Sequence, residues 1–363
     1  MDRFLQLHLL TAYPPANLNR DDLGRPKTAI FGGQPRLRIS SQSLKRAWRT
    51  SDVFQKALAG HVGTRTKRMG KKVYDDLVAN GVAHADALLW SWKLAQQFGK
   101  PRTTKEADLA KAGKNPEEVD VDGILQIEQL AHFGPDELTA IDALVHTMAA
   151  RGQGPTDDEL RLLRKKPGAV DIALFGRMVA AQPVFNQEAA AQVAHALSVN
   201  AVQVEDDYFT AVDDLNTGEE DIGAGHVGEV EFGAGVFYLY VCVDRGLLVE
   251  NLDGDRELAG RALRALIEAT ATVAPRGKQA TFASRARASY ILAERGAAQP
   301  RSLAVAFLDP VRKNPMLEEA IDRLGTTVEK MDHVYGPCAA ARETLDAVHG
   351  AGSLQRILDF VAE

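Results

Sequence analysis

Hydrophobic and polar positions alternate at the start of the chain. Leu5, Leu7 and Leu9 fall on one side and Gln6 and His8 on the other, which predicts a strand over residues 4–10. A stretch with Pro14, Pro15, Gly24, Pro26, Gly32 and Gly33 follows and reads as a loop. The period then changes. Ser40 and Ser41 stand as N-caps before a helical pattern. Leu44, Ala47 and Trp48 form its apolar side, and Gln42, Lys45 and Arg49, spaced i, i+3, i+7, form its polar side. Residues 66–166 are mostly helical in pattern, with breaks at Gly99-Lys100-Pro101, 113–116 and 152–155. Strand character returns at Val170, Ile172 and Leu174, and residues 188–199 resemble a helix. Residues 236–243 read as an apolar strand and 255–270 as a helix. Strand-like segments at 279–282 and 303–308 precede closing helices.

With 363 residues the chain exceeds one ordinary core, so two domains, or one with a large insertion, are expected. Strands and helices alternating around a helical insertion predict an α+β fold, with a ferredoxin-like, RRM-like sheet as the best fit. The aromatic sheet motif with which RNA-recognition modules stack bases is absent; Tyr238 and Tyr240 are a poor substitute for it. Residues 202–231 stand apart as a long projecting hairpin or loop, of the kind that carries function.

Charge changes this picture. The whole chain carries a net −6, yet residues 1–74 hold 15 Lys/Arg against 4 Asp/Glu, while residues 205–231 hold ten acidic residues and no Lys or Arg. Such asymmetry suggests a polyanion-binding surface, or else two solvated faces of opposite sign. Composition is that of an ordinary folded protein, with 45% hydrophobic and 25% charged residues. Cys242 and Cys338 are far apart and lack metal-ligand spacing, so neither a disulfide scaffold nor a zinc site is expected. The N-terminal apolar run is short and soon interrupted, and no stretch is long enough to span a bilayer; a cytoplasmic protein without a signal peptide is expected. No nucleophile–base pair, phosphate-binding loop or deaminase motif appears, and no cofactor is expected.

The most informative segment is Arg38-Ile39-Ser40-Ser41-Gln42-Ser43-Leu44-Lys45-Arg46-Ala47-Trp48-Arg49. It offers an amide, cations and capped helix amides, which suits sequence-blind contact with a phosphate backbone. Asp21 and Asp22 could bind Mg²⁺ for RNA cleavage, or could cap a turn. Gly32-Gly33 could cradle a phosphate or form a simple turn. Arg161, Arg164, Lys165 and Lys166 cluster at an expected helix end, where the macrodipole also favours cations. His195 and His226 form no catalytic or metal set, and His195 reads as a packed or helix-satisfied histidine.

Several blocks together resemble the CasC family, the backbone subunit of the type I-E CRISPR Cascade surveillance complex. They are Arg20-Asp21-Asp22, Ala29-Ile30-Phe31-Gly32-Gly33, residues 38–46 and Val170-Asp171-Ile172-Ala173-Leu174-Phe175-Gly176-Arg177-Met178. Ala194-His195-Ala196, Tyr208-Phe209-Thr210-Ala211-Val212-Asp213-Asp214-Leu215 and Glu231-Phe232-Gly233-Ala234-Gly235-Val236-Phe237-Tyr238 continue the series in order. The helical insertion and the chain after about residue 308 carry little of this pattern.

The resemblance implies a hand-like protein: a palm from residues 1–62, 169–201 and 232–363, helical fingers over 63–168 and a thumb hairpin over 202–231. It implies a non-catalytic subunit that stacks head-to-tail along a CRISPR RNA, kinks the guide periodically and presents it to target DNA. Arg20, Lys27, Ser40, Gln42, Lys45, Arg46, Arg49 and Lys278 would hold RNA. Met178, Tyr208, Phe209 and Thr210 would wedge against bases, although Tyr208 and Phe209 also fit a small hairpin core. Arg161, Arg164, Lys165 and Lys166 would touch target DNA. Partners implied are other copies of the chain, the RNA-processing endonuclease, the capping, small and large subunits and, after target binding, an effector nuclease-helicase. Two rivals are a metal-dependent RNase using Asp21 and Asp22, and an interaction protein without RNA contact.

Overall fold

The computed structural model describes residues 2–102, 120–211 and 226–363. The break expected at 113–116 and the apolar positions Val212 and Leu215 lie outside these residues, as does the side chain of His226. The chain divides into two compact units, one of residues 1–57, 191–246 and 260–363, the other of residues 58–190 and 247–259.

The first unit is built on a nine-stranded sheet whose described pairings are all antiparallel. Strand β1 (Phe4–Ala16) lies between β9 (His226–Asp244) and β10 (Tyr290–Gly296), and β11 (Ala341–Asp346) forms one edge. Beyond β9 come β7 (Ala196–Ser198), β3 (Gln34–Ile39) and β2 (Thr28–Phe31); β6 (Ala191–Val193) and β8 (Glu205–Ala211) also pair with β9. The mixed α and β character and the Leu5–Leu7–Leu9 face agree with expectation. The opposite face does not meet water: Gln6 and His8 are buried as well, because helix α11 (Met316–Tyr335) and the chain before it cover that side.

There His8 Nε2 meets Glu294 Oε2 at 3.2 Å, and Arg301 and Arg342 donate to the same carboxylate at 2.6 and 2.7 Å. Asp332 accepts from both arginines. Burial alone would raise the Glu294 pKa, but hydrogen bonds from His8, Arg301 and Arg342 hold it well below the carboxylate range. Burial lowers the pKa of His8, opposed by Glu294 and aided by the two arginines. Elsewhere in this unit Arg36, fully buried, donates to the carbonyls of Ser198, Val199, Phe307 and Leu308, fastening β3 to two neighbouring segments.

Several local expectations are corrected. Residues 24–39, read as loop, contain the β2–β3 hairpin; Gly32 and Gly33, at φ +59° and +73°, form its two-residue turn. Residues 188–199, read as a helix from their alanines, form β6 and β7, because pairing with β9 outweighs the weak local preference. Residues 279–282 form a helical turn, α10 (Gln279–Phe282), and Ala304–Phe307 a 3₁₀ turn, where strands were expected. Strands β10 and β11 were not anticipated.

The helical unit packs α3 (Met69–Ala79), α4 (His84–Phe98) and α6 (Pro135–Arg151) around Val73, Leu77, Leu94, Phe98, Val145 and Met148. Val170–Phe175, expected as a strand, is helix α7, in which Val170, Ile172, Ala173 and Leu174 are all buried. A short apolar run enclosed on every side carries no period to distinguish the two. The buried pair Arg177–Glu137, 2.8 Å apart, anchors the chain here, with Glu137 also accepting the Gly134 and Arg164 N–H groups. No described helix is long and apolar enough to cross a membrane.

Candidate nucleic-acid interface

Helix α1 (Ser41–Arg49) is the centre of the basic region of the sheet unit. The Ser40 hydroxyl accepts from the Ser43 N–H at 3.4 Å, and the Ser40 N–H donates to Asn19 Oδ1 at 2.8 Å. The Asn19 carbonyl accepts the Lys27 N–H at 2.8 Å, and the Lys27 carbonyl accepts the Arg38 N–H at 2.8 Å. These bonds tie the loop bearing Arg20 and Lys27 to β3 and to the helix entry. Along α1, Leu44, Ala47 and Trp48 are buried, as their periodicity predicts. Gln42 and Arg46 are exposed, and Lys45 and Arg49 are half-buried on the polar side. Partial burial draws the Lys45 pKa below its ordinary value.

At the other end of the helix, Arg276 Nη2 donates to the Thr50 carbonyl at 3.2 Å. Gly277 presses on the loop: a Cβ there would stand 2.2 Å from the Leu18 carbonyl oxygen. Lys278 follows in the left-handed region, φ 47°. The fold thus gathers Arg20, Lys27, Ser40, Gln42, Lys45, Arg46, Arg49 and Lys278 around α1 within one unit.

The loop also shows the turn-capping role expected as one reading of Asp21. Its Oδ1 accepts the Leu23 and Arg25 N–H groups, each at 2.9 Å, and its own N–H donates to the Arg25 carbonyl. Asp21 therefore caps a turn. Asp22 is exposed beside it.

Two further groups belong to the region. Arg38 Nη1 donates to His195 Nδ1 at 2.9 Å, and Arg38 Nε reaches the Thr28 carbonyl at 3.4 Å. His195 is exposed and sits between β6 and β7, not in a helix, so the expectation of a packed or helix-satisfied histidine is corrected. Burial first, then the charges of Arg38 and Lys27, lower its pKa. Arg38 and Ala194-His195-Ala196 both lay in the quoted blocks. What linear spacing cannot reveal is that β3–β7 pairing brings them together.

Residues 5–357 match the model of the CT1975-like protein family. The chain belongs to that family. Its architecture is that of subunits of CRISPR RNA-guided surveillance complexes. One solved structure, described as "CRISPR RNA-guided surveillance complex, pre-nicking", contains a chain 26% identical to this one, with a TM-score of 0.81 and 99% of each chain covered. A second, "CRISPR RNA-guided surveillance complex", matches with a TM-score of 0.72 at 23% identity over 99% of each chain, which bears on the fold alone. No curated protein sequence matches.

In this CT1975-like chain, Tyr208, Phe209 and Thr210 lie on β8, paired with Glu229, Gly228 and Val227 of β9. Neighbouring strand residues face opposite ways, so Tyr208 and Thr210 share one face and Phe209 takes the other. Tyr208 is 62% exposed and Phe209 41%; the Phe209 ring lies over Gly228, where a Cβ would approach to 2.4 Å. Met178 belongs to the helical unit, is 69% exposed, and borders an open cavity of about 530 Å³ with Trp92, Phe98, Lys100 and Leu130. The cluster Arg161, Arg164, Lys165 and Lys166 is also in that unit but not at a helix end: α6 stops at Arg151, and the cluster lies in the loop beyond. Buried Leu162 and Leu163 pin that loop, while Lys166 pairs with Asp253 at 3.0 Å and Arg161 with Asp158 at 3.5 Å.

Proposed function

We propose that this chain is a non-catalytic guide-RNA-binding backbone subunit of a CRISPR surveillance complex of the type I-E class, working in the cytoplasm. The observation that carries this is the α1 ridge. Beside it, Arg38 and Arg276 are held by the Thr28 and Thr50 carbonyls and the His195 ring, neutral acceptors that leave the charge of these two arginines for a polyanion. The likeness to a chain of a CRISPR RNA-guided surveillance complex, at 26% identity over 99% of both chains, supports it.

In this reading the sheet unit is a ferredoxin-like, RRM-like palm, the helical unit the fingers, and the hairpin within residues 202–231 the thumb. Arg20, Lys27, Ser40, Gln42, Lys45, Arg46, Arg49 and Lys278 hold guide phosphates and riboses. Successive copies stack head-to-tail, with the acidic thumb of one complementing the basic palm of the next. Tyr208, Phe209 and Thr210, with Met178, wedge bases out of line, which is sequence-tolerant single-strand binding. Pairing of the remaining bases with target DNA supplies specificity. Arg161, Arg164, Lys165 and Lys166 form the DNA-facing patch. The other Cascade subunits and, after target binding, the nuclease-helicase are the further partners.

The test is co-expression with a CRISPR RNA and the partner subunits, followed by nuclease footprinting of the purified RNA. Regularly spaced exposed nucleotides, lost with Lys45→Glu or Phe209→Ala, are expected. A complex purified without RNA, or a guide evenly exposed along its length, would overturn the proposal.

A further inference from the structure

His195, Arg38 and Lys27 form a row across neighbouring strands. Arg38 on β3 pairs with Leu197 on β7, two residues after His195, and Lys27 immediately precedes β2. A guanidinium keeps its protons, so in the 2.9 Å contact Arg38 Nη1 must donate and His195 Nδ1 must accept. A neutral imidazole carries one N–H, and with Nδ1 occupied as an acceptor that N–H is at Nε2. Burial and the charges of Arg38 and Lys27 disfavour a second proton. Nε2 has no hydrogen-bond partner among the described residues, and the residue is exposed. The result is a hydrogen-bond donor of fixed tautomer, oriented by an arginine and set in a positive field.

We infer that His195 is itself a guide contact, donating Nε2–H to a phosphate oxygen of the RNA backbone, with Arg38 as the positioning residue that fixes the ring. This rests on the guide-binding reading above. It adds a contact at the sheet end of the α1 ridge, supplied by a residue about 150 positions away from α1 in the chain. A neutral donor suits this place, since a third cation beside Lys27 and Arg38 would repel both when RNA is absent.

Glutamine and asparagine variants separate contact from scaffolding. His195→Gln places an amide N–H near the former Nε2, whereas His195→Asn places a carbonyl oxygen near the former Nδ1, where it accepts from Arg38. The assembled complex carrying each variant is challenged with rising salt, and retained guide is measured. Expected are roughly tenfold weaker retention for His195→Ala and His195→Asn and near-normal retention for His195→Gln. Phosphate-ethylation interference gives a second readout: an ethylated position that weakens the natural complex should have no added effect in His195→Ala. Retention that is normal in His195→Asn but lost in His195→Gln would reduce His195 to a support for Arg38 and overturn the inference, as would normal retention in all three variants. A natural complex with no guide would instead remove the guide-binding reading, and the inference with it.

Discussion

Two polar regions of the sheet unit use arginine in opposite ways. Under α11, Arg301 and Arg342 meet Glu294 and Asp332, and the charges cancel within a buried cluster. Around α1, Arg38 and Arg276 are held by the Thr28 carbonyl, the His195 ring and the Thr50 carbonyl, none of which carries negative charge. The first arrangement fixes the fold and leaves little field outside. The second fixes geometry equally well and leaves the charge in place. Neutral acceptors alone do not mark a surface cation, since buried Arg36 is also held by carbonyls; what sets Arg38 and Arg276 apart is a neutral acceptor set beside the basic ridge.

The largest expected effect breaks the first region. Glu294→Ala leaves two guanidinium groups without their shared carboxylate and should cost about 3–5 kcal/mol in chemical denaturation. At the second region Lys45→Glu should weaken guide retention by about tenfold or more in a salt challenge, with a loss of stability well below that of Glu294→Ala. A loss of stability as large as that of Glu294→Ala would erase the distinction.

Acidity sharpens the contrast within the core. The folded pKa of His8 lies below its unfolded value of 6.5, so the unfolded chain takes up the proton first as pH falls. Stability should therefore decline as pH drops through about 6.5, by no more than about 1.4 kcal/mol per pH unit for this one proton. The Glu294 contribution has the other origin. Its folded pKa is depressed, so its contribution is present above the unfolded carboxylate value and fades only in stronger acid. Unfolding titrations of the natural protein and His8→Gln should differ in the pH 5–7 window and converge above it. The smallest effect is expected at the ridge: Lys27→Ala should lower the slope of log affinity against log salt by about 0.7, with stability unchanged.

One side of this contrast was legible in the sequence, and the buried cluster was not. The alternation at Leu5, Leu7 and Leu9 and the two sides of α1 follow from period alone, and the side chains lie as the period requires. The cations of α1 could be picked out because a helix places i, i+3 and i+7 together whatever the tertiary fold. The burial of Gln6 and His8 could not, because it depends on α11, more than 300 residues later in the chain. Strand β7 and helix α7 went wrong in opposite directions for one reason. Both are short, and both take their form from what surrounds them: the pairing of Leu197 with Tyr238 in one case, enclosure of Ile172 and Leu174 in the other. His195 was passed over because its partner, Arg38, is adjacent only across paired strands.

Gly277 sets a dimension of the molecule by lacking a carbon. A single methyl group there would lie 2.2 Å from the Leu18 carbonyl oxygen and 2.7 Å from that of Asn17, so Gly277→Ala would push apart the loop that carries Arg20 and the segment that carries Lys278. On the guide-binding reading, this close approach sets how far apart two groups of cations stand along one strand. At this point the ruler is a hydrogen atom. The charged residues on either side can be exchanged for others of similar reach, but the gap between the segments that carry them admits no added carbon.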